Sequence, residues 1–263
     1  MNNETLTLAV DQGVLVITFN RPEKLNTWTY QMHADLRRAV ESANADRQID
    51  AIVVTATGKG FCAGADMSAV FGLSGEQKLQ ARAEARTDDW VALLRGCKPI
   101  VAAVNGAAVG IGVSMILPMD QIIASAEAKF ALRFVKLGVV PELAASHFLQ
   151  RRVGFGAASR VLLTGDTLTA QEALDIRLVD QVVPTDALLE EAKSLARRMG
   201  SNPHAALRAT KRLLTDNASE TDLERAQQRE LDALTQCYAS AEHKEAVAAF
   251  LAKRAPDFKA ARG

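Results

Sequence analysis

The pattern that most limits the fold is an apolar strand run that ends in a glycine-bearing turn, and it occurs twice. Ile49–Ala56 (IDAIVVTA) is a short, continuous, β-branched run, followed by the loop Thr57–Ala65 with its three glycines. Pro99–Val104 (PIVAAV) is a second such run, followed by the glycine-rich Asn105–Gly112. Runs of this kind, apolar at every position, suit strands covered on both faces. Val113–Leu117 reads as the helix after the second turn, and Asp120–Ser125 (DQIIAS) as a third short strand. Repeated strand–turn–helix units imply an α/β fold.

The flanking sequence fits that frame. Thr5–Val10 and Val14–Phe19 surround Asp11-Gln12-Gly13 and predict a hairpin. Thr29–Ala45 carries Met32, Leu36, Ala39, Val40 and Ala43 at helical spacing. The Ala/Glu/Arg-rich stretch up to Leu94 is expected to be helical. After Thr185 the strand signals stop, and Ala187–Met199, Pro203–Asp216, Glu220–Ala239 and Glu242–Arg254 all read as helices. The sequence therefore divides into residues 1–200, an α/β core, and 201–263, a helical tail, with the boundary near Gly200-Ser201-Asn202-Pro203.

Charge and composition remove several functions. Lys+Arg and Asp+Glu both number 31, so no net field draws the chain to nucleic acid or to an anionic membrane. Any anionic ligand must be held by local groups. No apolar stretch is long enough to span a membrane, and the N-terminus MNNETLTLAVDQG lacks the features of a signal peptide. Cys62, Cys97 and Cys237 are far apart and odd in number, which fits free thiols in a reduced cytoplasm. The four histidines show no metal spacing, and no metal or separate cofactor is expected.

Either glycine turn alone is an ordinary tight turn. Two that open helices, facing one another, would offer unpaired backbone N–H groups to a developing oxyanion. The residues of the first turn, Phe61-Cys62-Ala63-Gly64-Ala65-Asp66-Met67, resemble the F-(C/S)-A-G-A-D-(I/L/M) signature of the crotonase, or enoyl-CoA hydratase/isomerase, superfamily. Asn20-Arg21-Pro22-Glu23-Lys24-Leu25-Asn26 is similar to its N-R-P-x-x-x-N loop, and Ala103-Val104-Asn105-Gly106 to its A-V-x-G turn. Ala128-Lys129-Phe130, Leu163-Thr164-Gly165-Asp166, Ala170-Gln171-Glu172-Ala173 and Phe250-Leu251-Ala252-Lys253-Arg254 match later landmarks. The resemblance covers nearly the whole chain. It implies a spiral of ββα units with a C-terminal helical trimerisation region, an acyl-CoA thioester substrate, and a homotrimer or dimer of trimers. It also implies that the N–H groups of Ala65 and Ile111 bind the thioester oxygen.

Hydratases of this family use two glutamates. Aligned on the landmarks, this chain has Ser114 and Phe134 at those positions, and neither can serve as a carboxylate acid or base. A carboxylate stands elsewhere. Leu137-Gly138-Val139-Val140-Pro141-Glu142 resembles the L-G-x-x-P-E segment of peroxisomal-type Δ3,Δ2-enoyl-CoA isomerases, in which that glutamate is the base. Glu142 is expected in the first turn of a helix, partly buried by Val139, Val140, Leu143, Ala144 and Ala145, with its pKa raised. A glutamate after a helix-starting proline is also ordinary helix chemistry. The reading is an enoyl-CoA isomerase with Glu142 as its single acid/base. A hydratase, an isomerase of a ring-derived CoA thioester, and a non-catalytic acyl-CoA-binding protein stand as alternatives.

For the CoA moiety the candidates are Lys24, Leu25, Ala63, Asp66, Phe250 and Lys253. Lys24 and Lys253 either hold phosphates or are plain surface lysines. Leu25 lies beside Lys24, and Phe250 packs near the adenine or within a trimer core. Asp66 either touches substrate or serves a helix's first turn. Arg82–Arg86 reads as a charged helix face.

Overall fold

The computed structural model describes residues 5–262. Residues 1–4, the beginning of the segment read as lacking a signal peptide, lie outside the described residues. In chain order the elements are β1 (Leu6–Asp11), β2 (Val14–Phe19), α1 (Tyr30–Ala45), β3 (Ala51–Ala56), β4 (Gly60–Cys62), α2 (Gly75–Ala85) and α3 (Trp90–Gly96). Then come β5 (Ile100–Val104), β6 (Ala107–Val109), α4 (Ile111–Ser114), β7 (Gln121–Ser125), β8 (Lys129–Ala131), α5 (Ala145–Thr164), β9 (Thr167–Thr169) and α6 (Ala170–Asp175). β10 (Gln181–Val183) is followed by α7 (Leu188–Gly200), α8 (His204–Asp216), α9 (Leu223–Ala239), α10 (Ala241–Leu251) and α11 (Phe258–Ala261).

The strands form two sheets. The larger has the order β1-β2-β3-β5-β7-β10, parallel except for the β1–β2 hairpin. The smaller has the order β4-β6-β8-β9, antiparallel only at β8–β9. Each long strand therefore hands the chain to a short one in the other sheet: β3 to β4, β5 to β6, β7 to β8. The repeat makes a spiral of two strands per turn. The expected α/β architecture with a helical C-terminal region is present.

Side-chain alternation explains why the long strands are apolar throughout. Val14 and Val16 of β2, Ala51 and Val53 of β3, and Val101 and Ala103 of β5 pack under Leu188, Ala192 and Ala196 of α7. Their alternates, such as Ile17, Phe19, Ile52, Val54, Ile100 and Ala102, enter the main core. A strand buried on both faces loses the polar half of its pattern. α1 begins where expected because the Thr29 side chain accepts a hydrogen bond from the Met32 N–H.

Several local expectations needed correction. Both glycine loops contain a short strand, β4 and β6, which the sequence did not announce because three residues are too few for a periodic signal. The helix after the second turn begins at Ile111, not Val113, and is a single turn. The stretch up to Leu94 is not one helix. Arg86, with φ +51°, ends α2, and a 3-10 turn Thr87–Asp89 precedes α3. Glu142 is not in a helix either. Leu143 and Ala144 both have φ +56°, and α5 starts only at Ala145. Two consecutive left-handed residues cannot belong to a right-handed helix.

The tail is fastened to the core by polar contacts. Within the tail, the Glu242 carboxylate accepts from the N–H groups of His204 and Ala205 at 2.9 and 3.0 Å and pairs with Arg262 at 2.6 Å; the contacts to the core come from three basic residues. Lys259 and Arg262 reach Asp50, and Lys211 reaches Asp120 at 2.8 Å. Its apolar side chains are less well covered: Leu223, Phe250 and Leu251 are 81%, 82% and 75% exposed.

Candidate active site

A cavity of about 880 Å³ opens where the two glycine turns meet the segment before α5. Ala65, Gly110, Ile111, Phe134 and Glu142 all line it. Thus the topology brings together residues 77 positions apart in sequence.

Each glycine turn brings to this space a residue, Ala65 or Ile111, whose backbone N–H has no acceptor among the described residues. The Trp28 N–H donates to the Gly64 carbonyl at 2.8 Å, and the Asp66 N–H donates to the Trp28 carbonyl at 2.9 Å. This short parallel bridge uses the groups on either side of Ala65 and turns Ala65's own N–H away from Trp28. Ile111 is the first residue of α4, so its N–H has no intrahelical acceptor. Among the described residues neither N–H donates to a protein group. A glycine with positive φ precedes each: Gly64 at +108° and Gly110 at +53°. Those backbone conformations, which residues with a Cβ rarely adopt, set the direction of the two donors.

Two carboxylates line the cavity, and their surroundings differ. Asp66 is saturated with donors. The Ala69 N–H and the Ser68 hydroxyl donate to one of its oxygens at 3.2 and 2.9 Å. Arg21 pairs with the other at 3.2 Å. The Ala69 N–H, the Ser68 hydroxyl and then Arg21 hold its pKa down at about 2. Glu142 makes no such bonds among the described residues. Loss of water around it raises its pKa above the ordinary carboxylate value, and Arg82 opposes the rise. The carboxylate remains reachable through the cavity. Val140 is 80% exposed, so the burying neighbours are not those expected from sequence. Glu142 is itself an exposed residue, not the partly buried one expected; Tyr30 lines the same cavity and Trp90 the smaller space beside it.

The positions aligned with the hydratase glutamates contribute no charge. Ser114 is fully buried and outside the cavity lining, and Phe134 presents a ring to the cavity. Cys62 lies under the first turn, where burial pushes its thiol up to about 12, too high for a nucleophile at neutral pH. Cys97 is pushed to about 11 by burial. No group of three or more His, Cys, Asp or Glu among the described residues could hold a metal ion.

Of the CoA candidates, Lys24, Ala63 and Asp66 line the cavity. Leu25 is half exposed beside it, and its carbonyl accepts from the Ala63 N–H. Phe250 lies in the last turn of α10 and Lys253 in the turn just beyond it, and neither is among the lining residues of this cavity. Sequence reasoning missed Tyr30, Trp28, Arg133 and Lys136, all of which line the cavity. It read Arg82 as a charged helix face, whereas it too lines this cavity. No local motif marks them; only the assembled fold places α1, α2 and the residues after β8 around one space.

The enoyl-CoA hydratase/isomerase family model matches residues 9–261. The chain is 35% identical to the 1,2-epoxyphenylacetyl-CoA isomerase of Escherichia coli, covering 95% of this chain and 96% of the relative. It is also 35% identical to the 2,3-dehydroadipyl-CoA hydratase of the same organism, over 97% and 98% of the two chains. The crystal structure of an enoyl-CoA hydratase from Bacillus anthracis superposes with a TM-score of 0.89 at 29% identity, covering 97% of this chain and 99% of that one. Spiral, paired glycine turns and full-length similarity agree, and the chain belongs to the enoyl-CoA hydratase/isomerase family of the crotonase superfamily, whose chemistry acts on acyl-CoA thioesters.

Proposed function

We propose that the protein is a Δ3,Δ2-enoyl-CoA isomerase. The observation that carries this reading is the contrast between the two cavity carboxylates. Asp66 accepts from four donors, the Ala69 N–H, the Ser68 and Thr27 hydroxyls and Arg21, and with its pKa held down at about 2 it is a poor base. Glu142 alone has a raised pKa and no hydrogen-bonding partner to displace. Hydration needs one group to deprotonate a water and usually another to manage the proton added at carbon. Isomerisation needs only one. Glu142 removes a proton from C2 of a 3-enoyl thioester. The electron pair shifts the double bond to C2–C3 through a dienolate, and the same carboxyl returns a proton to C4. The negative charge rests largely on the thioester oxygen, which the Ala65 and Ile111 N–H groups stabilise. One such donor is worth about 3–4 kcal/mol in comparable sites. These donors are backbone groups, so they are fixed in place and keep their protons at any working pH.

Lys24, Ala63 and Asp66 border the path of the CoA moiety. Leu25 would touch the nucleotide, while Phe250 and Lys253 would reach a neighbouring subunit's site. The exposed apolar side chains of α9 and α10 support a trimer, alone or paired. Among the described residues no helix is long and apolar enough to cross a membrane. A cytoplasmic location rests on the buried free thiols. A second reading, isomerisation of a ring-derived CoA thioester with the same Glu142, draws support from the similarity to the 1,2-epoxyphenylacetyl-CoA isomerase. The test is direct. The purified protein should convert 3-hexenoyl-CoA to 2-hexenoyl-CoA and hydrate 2-hexenoyl-CoA slowly or not at all. Fast hydration without isomerisation would overturn the proposal.

A further inference from the structure

Tyr30 is tied to both halves of the site. It opens α1, two residues after Trp28, and lines the same cavity as Ala65, Ile111 and Glu142. The two backbone bonds that flank Ala65 hold Trp28 in place. The Trp28 indole meets the Tyr30 ring edge-on, with centroids 4.8 Å apart. The Tyr30 ring also packs against the main core, and the Thr29 cap fixes the backbone beside it. Ring and backbone are therefore anchored, while the hydroxyl is not. Among the described residues it has no hydrogen-bond partner, and it is not sealed in the interior as the Thr87 and Ser114 hydroxyls are. A tyrosine hydroxyl in such a place ordinarily finds a partner. Loss of water raises the Tyr30 pKa, Arg82 opposes the rise and Glu142 adds to it, so the hydroxyl and the Glu142 carboxylate lie within electrostatic reach. The hydroxyl keeps its proton at neutral pH and can donate it to a hydrogen bond. Arg82 of α2 acts by charge on both groups. Lys24, Asp66, Lys78, Arg133 and Lys136 are the remaining ionisable side chains of the lining, and none of them contributes to either shift.

We propose that Tyr30 is the positioning residue of Glu142: with an acyl group in the cavity, its hydroxyl donates a hydrogen bond to one carboxylate oxygen and leaves the other for the proton carried between C2 and C4. The inference rests on Glu142 being the base. A glutamate side chain without a partner spreads over several rotamers, and proton transfer needs one of them. Hydrogen bonds of this kind are often open in the free enzyme and close only around the substrate. A neutral donor orients the carboxylate without stabilising its charge as strongly as the donors of Asp66 do, so basicity is kept.

The chain has two tyrosines, Tyr30 and Tyr238, so labelling the full-length protein with 3-fluorotyrosine gives two fluorine resonances, and Tyr30→Phe assigns them. In protein saturated with hexanoyl-CoA, which binds without reacting, the Tyr30 resonance should move in one step between about pH 7 and pH 4, as Glu142 takes up its proton. That step should vanish in Glu142→Gln. No step, or a step that survives Glu142→Gln, overturns the inference. Tyr30→Phe keeps the ring and its packing. It should lower kcat for 3-hexenoyl-CoA about tenfold, the scale of one hydrogen bond to a charged group, with KM within about twofold. The acid limb of kcat, which reports the loaded enzyme, should move up, because the lost bond favoured the carboxylate. A merely structural role would leave that limb in place, and an unmoved limb overturns the inference as well. Because the resonance is read on a saturated thioester, failure to isomerise 3-hexenoyl-CoA would overturn the isomerase reading alone.

Discussion

The two sides of the cavity hold a carboxylate each, and they are built for opposite purposes. On the Gly64–Phe71 side, Asp66 serves the backbone. It caps the turn that begins at Met67 and anchors Arg21 of the preceding loop. On the Pro141–Ala144 side, Glu142 supports nothing. It sits in a non-helical segment held by two left-handed residues, and water is partly stripped from it. A carboxylate satisfied by donors is a stable anion and a weak base. One deprived of water, with a cation nearby but no direct bond, is a base poised closer to neutrality. The comparison teaches that lining a cavity does not make an acid catalytic; its unused hydrogen-bonding capacity does.

The largest expected effect falls on Glu142. Glu142→Gln should lower kcat for 3-hexenoyl-CoA by about 10³-fold with KM within about threefold, since proton transfer by a positioned group contributes on that scale. Steady-state rates measure it, and an equal loss for Asp66→Asn would erase the contrast between the two sides. Next comes the oxyanion pocket. Gly110→Ala puts a Cβ on a residue at φ +53°, although the nearest side-chain atom, from Phe134, would be at an unstrained 3.9 Å. The backbone should relax at a cost of about 1–2 kcal/mol and turn the Ile111 N–H, with kcat falling about tenfold. Binding of CoA itself should hardly change.

Asp66→Asn should show its effect in stability. Weakening a side-chain cap and an ion pair should cost about 1 kcal/mol in urea unfolding, with turnover changed by less than about tenfold. The sign with pH follows from the depressed pKa. Asp66 stabilises the fold above its unfolded value of 3.8, and that contribution is lost as pH falls toward about 2. The natural protein should therefore lose more stability than Asp66→Asn between pH 4 and pH 2. The smallest effect is on the pH profile. The acid limb of kcat/KM should lie above the ordinary glutamate value of 4.5, because Glu142 must be ionised to act and burial raises its pKa. Arg82 favours the carboxylate, so Arg82→Gln should move the limb further up; a downward move would contradict the account.

Much of this was legible in the sequence. The β-branched runs at Ala51–Ala56 and Ile100–Val104 announced buried parallel strands, and Thr29 marked the start of α1. The family resemblance, not the glycine turns by themselves, implied Ala65, Ile111 and Glu142, and these three residues line one cavity. The second sheet was not legible, because β4, β6 and β8 are three residues each, too short for alternation to register. The setting of Glu142 was misread for a physical reason: proline permits a helix start but does not compel one, and Leu143 and Ala144 postpone it. Tyr30 and Arg82 were invisible as site residues because their local patterns are those of ordinary helices. Their role depends on long-range packing, which one sequence does not display.

The central claim is that Glu142, and not Asp66, handles the proton while two backbone N–H groups hold the thioester oxygen. A crystal structure with a bound, unreactive acyl-CoA tests it most directly. The account predicts the thioester oxygen about 2.7–3.1 Å from both the Ala65 and Ile111 nitrogens, with a Glu142 oxygen in reach of both C2 and C4. A thioester oxygen held elsewhere, or an Asp66 carboxylate beside C2 with Glu142 turned away, would contradict it.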